Sequence, residues 1–212
     1  VAGSFHGSRY FPHLAAVGFS FNPFVWHEDI NPRAGVLRLV CGLGTRAVNR
    51  SDDDYTRLVA LNAPKLRVEQ HDGNLPVPAQ QWVDVLDMDT GKPATVLFRD
   101  IAPMLSESAL RMIASEDAAV LRAARKHKLK HPFALRLSFE RLLSQTDFPG
   151  KVKEMLAILE KSYGVPVDVE FAVNFSERGD WRIHLLQCRP MQVKGMEYAA
   201  LPKLEASPDQ VI

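Results

Sequence analysis

Residues 167–190, VDVEFAVNFSERGDWRIHLLQCRP, decide the fold. Two runs of alternating polar and apolar residues, 167–175 and 181–188, flank SERGD, a segment of turn formers. Alternation at period two marks a strand with one face in a core, so the stretch reads as an antiparallel hairpin. On the first strand Val167, Val169 and Phe171 share one face, and Asp168 and Glu170 share the other. On the second strand Gln187 and Arg189 share a face. A turn centred between Arg178 and Gly179 sets Glu170 opposite Gln187, and Asp168 opposite Arg189. Two carboxylates, an amide and a guanidinium then converge on one patch of sheet.

Such a patch has two readings. A carboxylate beside an amide oxygen is a hard, oxygen-rich site of the kind Mg²⁺ accepts when phosphates complete its shell. A neighbouring arginine offers planar donors to phosphate oxygens. The plainer reading is a cross-strand ion pair, Asp168–Arg189, on a solvated face with Glu170 and Gln187 as polar neighbours.

Immediately upstream, Val152, Met155, Leu156, Leu159 and Tyr163 fall on one stripe, which predicts a helix over 150–163. Gly164 supplies a left-handed exit and Pro166 prevents continuation. Ser106 and Ser115 each precede acidic residues and helix formers, as helix starts do, and Ser138 with 141–143 suggests a short helix. The first half is strand-rich. Residues 15–21 and 36–41 read as buried strands, the second running into Gly42-Leu43-Gly44, with a loop over 22–35 between them. Residues 82–86 and 95–98 flank DMDTGKP, a hairpin with a longer loop.

The chain has 212 residues, 46% hydrophobic and 24% charged, enough for one domain with a real core. A net charge of +1, from 26 basic and 25 acidic residues, leaves no strong field to draw nucleic acid or a membrane surface. No apolar run approaches a membrane span and no signal peptide is evident. Cys41 and Cys188 are too few for a disulfide framework or a four-ligand zinc site, so we expect reduced thiols in a cytoplasmic setting. The chain opens on Val1 without a helical start, and 199–212 reads as a linker. A domain over 1–198, excised from a longer chain, is therefore expected. Other clusters read as structural. His27-Glu28-Asp29 lies on a Pro-rich loop, Asp52-Asp53-Asp54 reads as a loop cap, and Asp87, Asp89 and Gly91 form a turn without a calcium loop's downstream Glu. The basic stretch 122–131 reads as the exposed end of a helix.

Taken in order, these motifs resemble the ATP-binding domain of the phosphoenolpyruvate synthase and pyruvate phosphate dikinase family. AAVGFSFNP (15–23), VLRLVCGLGTRAV (36–48), SFERLLSQTDFPGKVKEMLAILEKSYGVPVDVEFAV (138–173) and LLQCRPM (185–191) carry the resemblance, which is weaker over 65–130. It implies an ATP-grasp-like α/β (α+β) fold, a mixed or antiparallel sheet flanked by helices, of which this chain holds the C-terminal portion. It also implies ATP and Mg²⁺ as cofactors. Glu170 and Gln187 match the family's magnesium- and nucleotide-contacting pair, Arg189 a phosphate-contacting catalytic arginine, and Asp168 a supporting carboxylate. The family often has an acidic residue after G-L-G, where this chain has Thr45. Its phosphate-gripping lysine, arginine and glycine-rich loop belong to an N-terminal subdomain, and its phosphohistidine to a separate domain. None of the seven histidines here has that domain's Gly-rich Thr-x-His context. The resemblance thus implies a small-molecule nucleotide and absent parent domains as partners, while the near-zero net charge and lack of an apolar span argue for no nucleic acid and no membrane. The alternative class is a non-catalytic ligand-sensing or regulatory module of a larger signalling protein.

Overall fold

The computed structural model describes residues 2–49, 54–68, 78–130 and 132–191. Asp52, Asp53, His71, His131 and the expected linker 199–212 lie outside the described residues. The hairpin read from sequence is β10 (Val167–Phe175) and β11 (Trp181–Pro190). β10 is an interior strand of a five-stranded antiparallel sheet whose order is β11, β10, β3 (Leu14–Phe19), β4 (Val36–Val40) and β5 (Arg57–Ala60). A second sheet orders β1 (Ser4–His6), β2 (Arg9–Phe11), β6 (Trp82–Asp87) and β7 (Lys92–Leu97). The short strands β8 (Ala114–Glu116) and β9 (Leu135–Leu137) pair with each other. Mixed helices and antiparallel sheets are the architecture expected of an ATP-grasp-like domain.

One face of the five-stranded sheet makes the core. Val167, Val169, Phe171 and Val173 of β10 are fully buried, together with Leu14, Leu37, Leu39 and Val59 of the neighbouring strands. They pack with Val152 and Leu156 of α6 (Phe148–Tyr163), Leu142 of α5 (Glu140–Gln145) and Ile113 of α3 (Glu107–Ile113). Burying each such side chain contributes about 1.5–3 kcal/mol, which makes this face the main stabilising surface. The expected stripe on α6 grades from buried Val152 and Leu156, through partly buried Met155 and Leu159, to exposed Tyr163. Gly18 lets the helix lie close, because a Cβ there would stand 3.0 Å from Leu37 Cδ2 and 3.5 Å from Leu156 Cδ2. The helix ends on Gly164 at φ 72°, the left-handed exit the sequence implied.

Two local expectations are corrected. Ser115 does not start a helix: it lies in β8, and Asp117 caps α4 (Ala118–Lys126) instead, its Oδ1 accepting from Ala119 N at 2.9 Å and Val120 N at 3.2 Å. Asp competes equally well as an N-cap, and pairing with β9 claims Ser115. The hairpin turn also differs. Phe175 pairs with Trp181, so the turn centres on Arg178, and a register shift after Glu170 leaves Leu186 as the extra residue of a bulge. That bulge restores the expected pairs further along: Glu170 stands opposite Gln187 and Asp168 opposite Arg189. Among the described residues no helix is long and apolar enough to cross a membrane.

The two sheets meet over His6 and His13, both buried, with ring centroids 4.8 Å apart. His13 Nδ1 accepts from Phe175 N at 3.3 Å. Burial, then the neighbouring His6, pushes the His13 pKa down to about 4, and burial lowers that of His6 as well. A histidine whose folded pKa lies below its unfolded value adds stability that is complete above the unfolded value near 6.5. That stability is lost as pH falls toward the folded value. Urea unfolding should therefore show a loss of about 3 kcal/mol attributable to His13 between pH 7 and pH 4. His13→Asn, which keeps an acceptor near Nδ1, should flatten this slope relative to the parent chain; an unchanged slope would show that His13 does not titrate on unfolding.

Candidate functional site

The second face of the five-stranded sheet carries the candidate residues. Pairing across the strands aligns Arg189, Asp168, Phe19 and Val36 in one row, and Gln187, Glu170, Val17 and Arg38 in the next. The four residues singled out in the sequence are therefore brought together on one face of one hairpin. Their exposure is graded. Asp168 is buried at 9%, Glu170 is half-buried, and Gln187 and Arg189 are exposed on the edge strand β11.

Arg189 reaches back across the hairpin. Its Nε and Nη2 stand 2.9 Å and 2.8 Å from the same oxygen, Asp168 Oδ2. The cross-strand ion pair of the plainer reading is thus present, yet it uses only half of the carboxylate. Asp168 Oδ1 is buried and has no hydrogen-bond partner among the described residues. A polar oxygen hidden from water in this way is costly unless a donor or cation meets it.

The F-S-F-N-P segment positions this face, a role its motif did not reveal. Ser20 continues the ladder beyond β3: its N donates to Val167 O at 3.0 Å and its Oγ accepts from Val167 N at 2.9 Å. Both groups of Val167 are thereby held, and the next residue is Asp168. Asn22, wholly buried, closes the following turn by accepting from Phe24 N at 2.8 Å. Phe19 flanks Asp168 in its row, and the Arg38 guanidinium lies 5.8 Å from the Phe19 ring centroid. The alternation of β3 and β4 is the signal that places Phe19 and Arg38 on this face, but a lone aromatic or cation in a strand is ordinary and does not by itself mark a site.

The G-L-G loop leads into α1 (Thr45–Val48), whose Ala47 packs on Ala15, Val17 and Val40 of this same face. Gly42 has φ +93°, and an added Cβ would stand 2.5 Å from Val83 Cγ1 and 2.6 Å from Asp84 O. The loop is pinned to the second sheet: Leu43 N donates to Asp84 O at 2.8 Å, and Gln80 bonds both N and O of Cys41 at 2.7 Å and 3.0 Å. Thr45, the departure from the family pattern, donates its hydroxyl to Asp84 Oδ2 at 2.5 Å. Asp84 also accepts from Thr95 at 2.6 Å and faces Arg46 Nε at 3.3 Å, so its charge is spent on structure. Asp54 accepts from Gln81 N and Trp82 N, which makes it the loop cap expected of that acidic run.

The remaining candidates do not gather into sites. Among the described residues no group of three or more His, Cys, Asp or Glu could hold a metal ion. His27 Nδ1 accepts from Asp29 N at 3.2 Å within its loop. Asp87 closes its turn on Asp89 N and Thr90 N and pairs with Arg9. The Cys41 thiol is pushed up to about 12 by burial, and burial raises that of Cys188, so neither is a ready nucleophile.

The family described as pyruvate phosphate dikinase, AMP/ATP-binding domain, has a sequence model that matches residues 7–207. The chain belongs to this family. No curated protein sequence matches it. An AMP/ATP-binding domain of the pyruvate phosphate dikinase family takes a small-molecule nucleotide as its partner. The G-L-G segment is pinned to the second sheet, and Gly42 offers a direct check. Gly42→Ala should cost about 2 kcal/mol or more, because it adds strain at positive φ to a backbone clash. Thermal unfolding measures this, and a variant within about 0.5 kcal/mol of the parent would show that the loop is not pinned as described.

Proposed function

We propose that this chain carries the metal- and phosphate-handling half of the ATP site of a phosphotransferase. The observation that supports the reading is the pairing of Glu170 with Gln187, and of Asp168 with Arg189, on one face with Asp168 Oδ1 left unclaimed. In this reading Glu170 and Gln187 hold Mg²⁺, Asp168 supports them, and Arg189 is the catalytic arginine that stabilises phosphate charge. The donors fit a hard cation: two carboxylates and an amide oxygen supply part of an oxygen shell that phosphate oxygens would complete. When bound, Mg²⁺ would neutralise charge on the phosphates. Arg189 spends Nε and Nη2 on Asp168, which orients the guanidinium and leaves Nη1 for a phosphate oxygen.

The parent protein, by the same proposal, transfers a phosphoryl group from ATP to a histidine in another domain and onward to pyruvate or a related acceptor. An N-terminal subdomain supplies the gripping lysine, arginine and glycine-rich loop, so that this chain is the later portion of the cleft. Two free cysteines agree with a cytoplasmic setting.

Glu170→Gln keeps the shape and an oxygen but removes the charge facing the metal. In the full-length parent, ATP-dependent histidine phosphorylation should fall at least about a hundredfold, with the melting temperature little changed. Near-parental phosphorylation at saturating magnesium would remove Glu170 from the site and favour a non-catalytic sensing module. The isolated chain should bind Mg-ATP weakly and hydrolyse none. Calorimetric affinity in the micromolar range, about −8 kcal/mol, would mean that the nucleotide contacts lie mainly in this half.

A further inference from the structure

Asp168 is the second residue of β10, at the point where the strand leaves its loop. Strand ends open easily unless something holds them, and this one is tied on both sides. On the side of β11, Met191 N donates to Pro166 O at 2.7 Å. On the side of β3, Ser20 N donates to Val167 O at 3.0 Å. The return bond of that second pair departs from an antiparallel ladder. A ladder would set Val167 N against the Ser20 carbonyl, whereas Val167 N donates to Ser20 Oγ at 2.9 Å.

The exchange of a carbonyl for a hydroxyl has a local cause. Two residues later Asn22 draws the chain off the sheet, its N donating to Pro32 O at 2.7 Å and its Oδ1 accepting from Phe24 N at 2.8 Å. As the backbone turns away, the Ser20 side chain takes over the acceptor's place, and Val167 is wholly buried. An unpaired N–H there would be costly. Two of the three bonds around Val167 join backbone to backbone and outlast a change of side chain. Ser20 Oγ supplies the third, the one that a substitution can remove.

The peptide from 167 to 168 sets the direction of the Asp168 Cα–Cβ bond, and with it which carboxylate oxygen faces Arg189. Oδ2 takes both nitrogens of Arg189, and Oδ1 has no hydrogen-bond partner among the described residues. We propose that Ser20 is a positioning residue for the cation site: through Val167, its hydroxyl holds the Asp168 carboxylate so that Oδ1 stays open on the face shared with Glu170. The inference rests on the metal reading of that face and adds to it a residue that touches neither metal nor phosphate. Groups that orient metal ligands from behind typically carry about 10–100-fold in metal affinity.

The test uses Mn²⁺ as the probe on the whole chain, read by paramagnetic broadening of amide signals and by its dissociation constant. In the parent chain, broadening should centre on 168–170 and 187–189. Ser20→Ala should weaken Mn²⁺ binding about tenfold, and it should also lower the melting temperature because Val167 N loses its acceptor. Val152→Ala, a change in the core beneath α6, should lower the melting temperature as well but leave Mn²⁺ affinity at the parental value. Ser20→Thr keeps the hydroxyl and should recover most of the affinity. Glu170→Gln should lose the broadening while Ser20 is intact, which separates the metal reading from the role of Ser20. A parent chain that fails to bind Mn²⁺ at this face, or parental binding by Glu170→Gln, would overturn the metal reading and this inference with it. Parental affinity in Ser20→Ala while Glu170→Gln binds weakly, equal losses in Ser20→Ala and Val152→Ala, or no recovery in Ser20→Thr would overturn the inference alone.

Discussion

β10 is hydrogen-bonded on both sides, to β3 and to β11, and nearly everything else in the molecule is placed by that double register. Its odd-numbered residues, Val167 to Phe175, face the core, so its even-numbered residues must face the opposite side. A slip of one position would drive Asp168 and Glu170 into the contact with α6 and expose Val169 and Phe171. That exchange combines lost apolar burial with buried charge, and both terms act in the same direction. The register is therefore held by the core, and the polar patch inherits its precision from side chains on the other face. Ser20 reinforces the register at the end where precision matters, by occupying both backbone groups of Val167.

The polar groups of the G-L-G region belong to a different kind of constraint. Thr45, Arg46, Asp54, Asp84 and Thr95 form one network that ties the five-stranded sheet's loop to the second sheet. Arg46, Asp54 and Asp84 have side chains 12%, 6% and 17% exposed, so they are largely withdrawn from solvent and compensate one another. Buried charge is tolerable only when its partners are present. These carboxylates are thus committed to holding two sheets together, whereas Asp168 retains an oxygen with no hydrogen-bond partner among the described residues. Satisfaction of the buried atoms, more than residue type, separates structural acids from a candidate ligand.

How much of this was legible in the sequence depends on how local each signal was. The hairpin and its polar face followed from period-two alternation, and α6 followed from its stripe and Gly164. The pairs Glu170–Gln187 and Asp168–Arg189 were reached by an argument with a compensated flaw: the turn centres one half-step away, and a bulge at Leu186 restores the phase. Nothing in the residues 184–187 announces a bulge, because an extra leucine beside a leucine leaves apolar character unchanged. The start of α4 was misplaced since two adjacent capping residue types competed, and only pairing of Ser115 with Arg136 decided between them. β1, β2 and β9 are three residues each, too short for periodicity to show, and their partners lie far away in sequence. Arg57 is buried on the covered face of its strand, a placement that depends on packing no local pattern encodes.

The ion pair Asp168–Arg189 and the proposed metal role of the patch are compatible, because the pair engages only one of the two carboxylate oxygens. Were Asp168–Arg189 only a surface pair, the natural arrangement would be a fork, with each carboxylate oxygen meeting its own nitrogen. Instead both nitrogens converge on Oδ2, although the Arg189 side chain is half exposed. Burying one partner of an ion pair carries a desolvation cost that the attraction need not outweigh, so stability alone gives weak reason for holding Asp168 in a buried position. What the arrangement does achieve is orientation. Arg189 is fixed by one oxygen of Asp168, the other oxygen is turned away from it, and Glu170 with Gln187 stands in the adjacent row. Donors for anionic oxygens and acceptors for a cation are thereby set side by side on a rigid strand pair. A ligand carrying both, a nucleotide phosphate with its divalent ion, would satisfy the orphaned oxygen and the open guanidinium edge together, which neither a lone cation nor a lone anion would do.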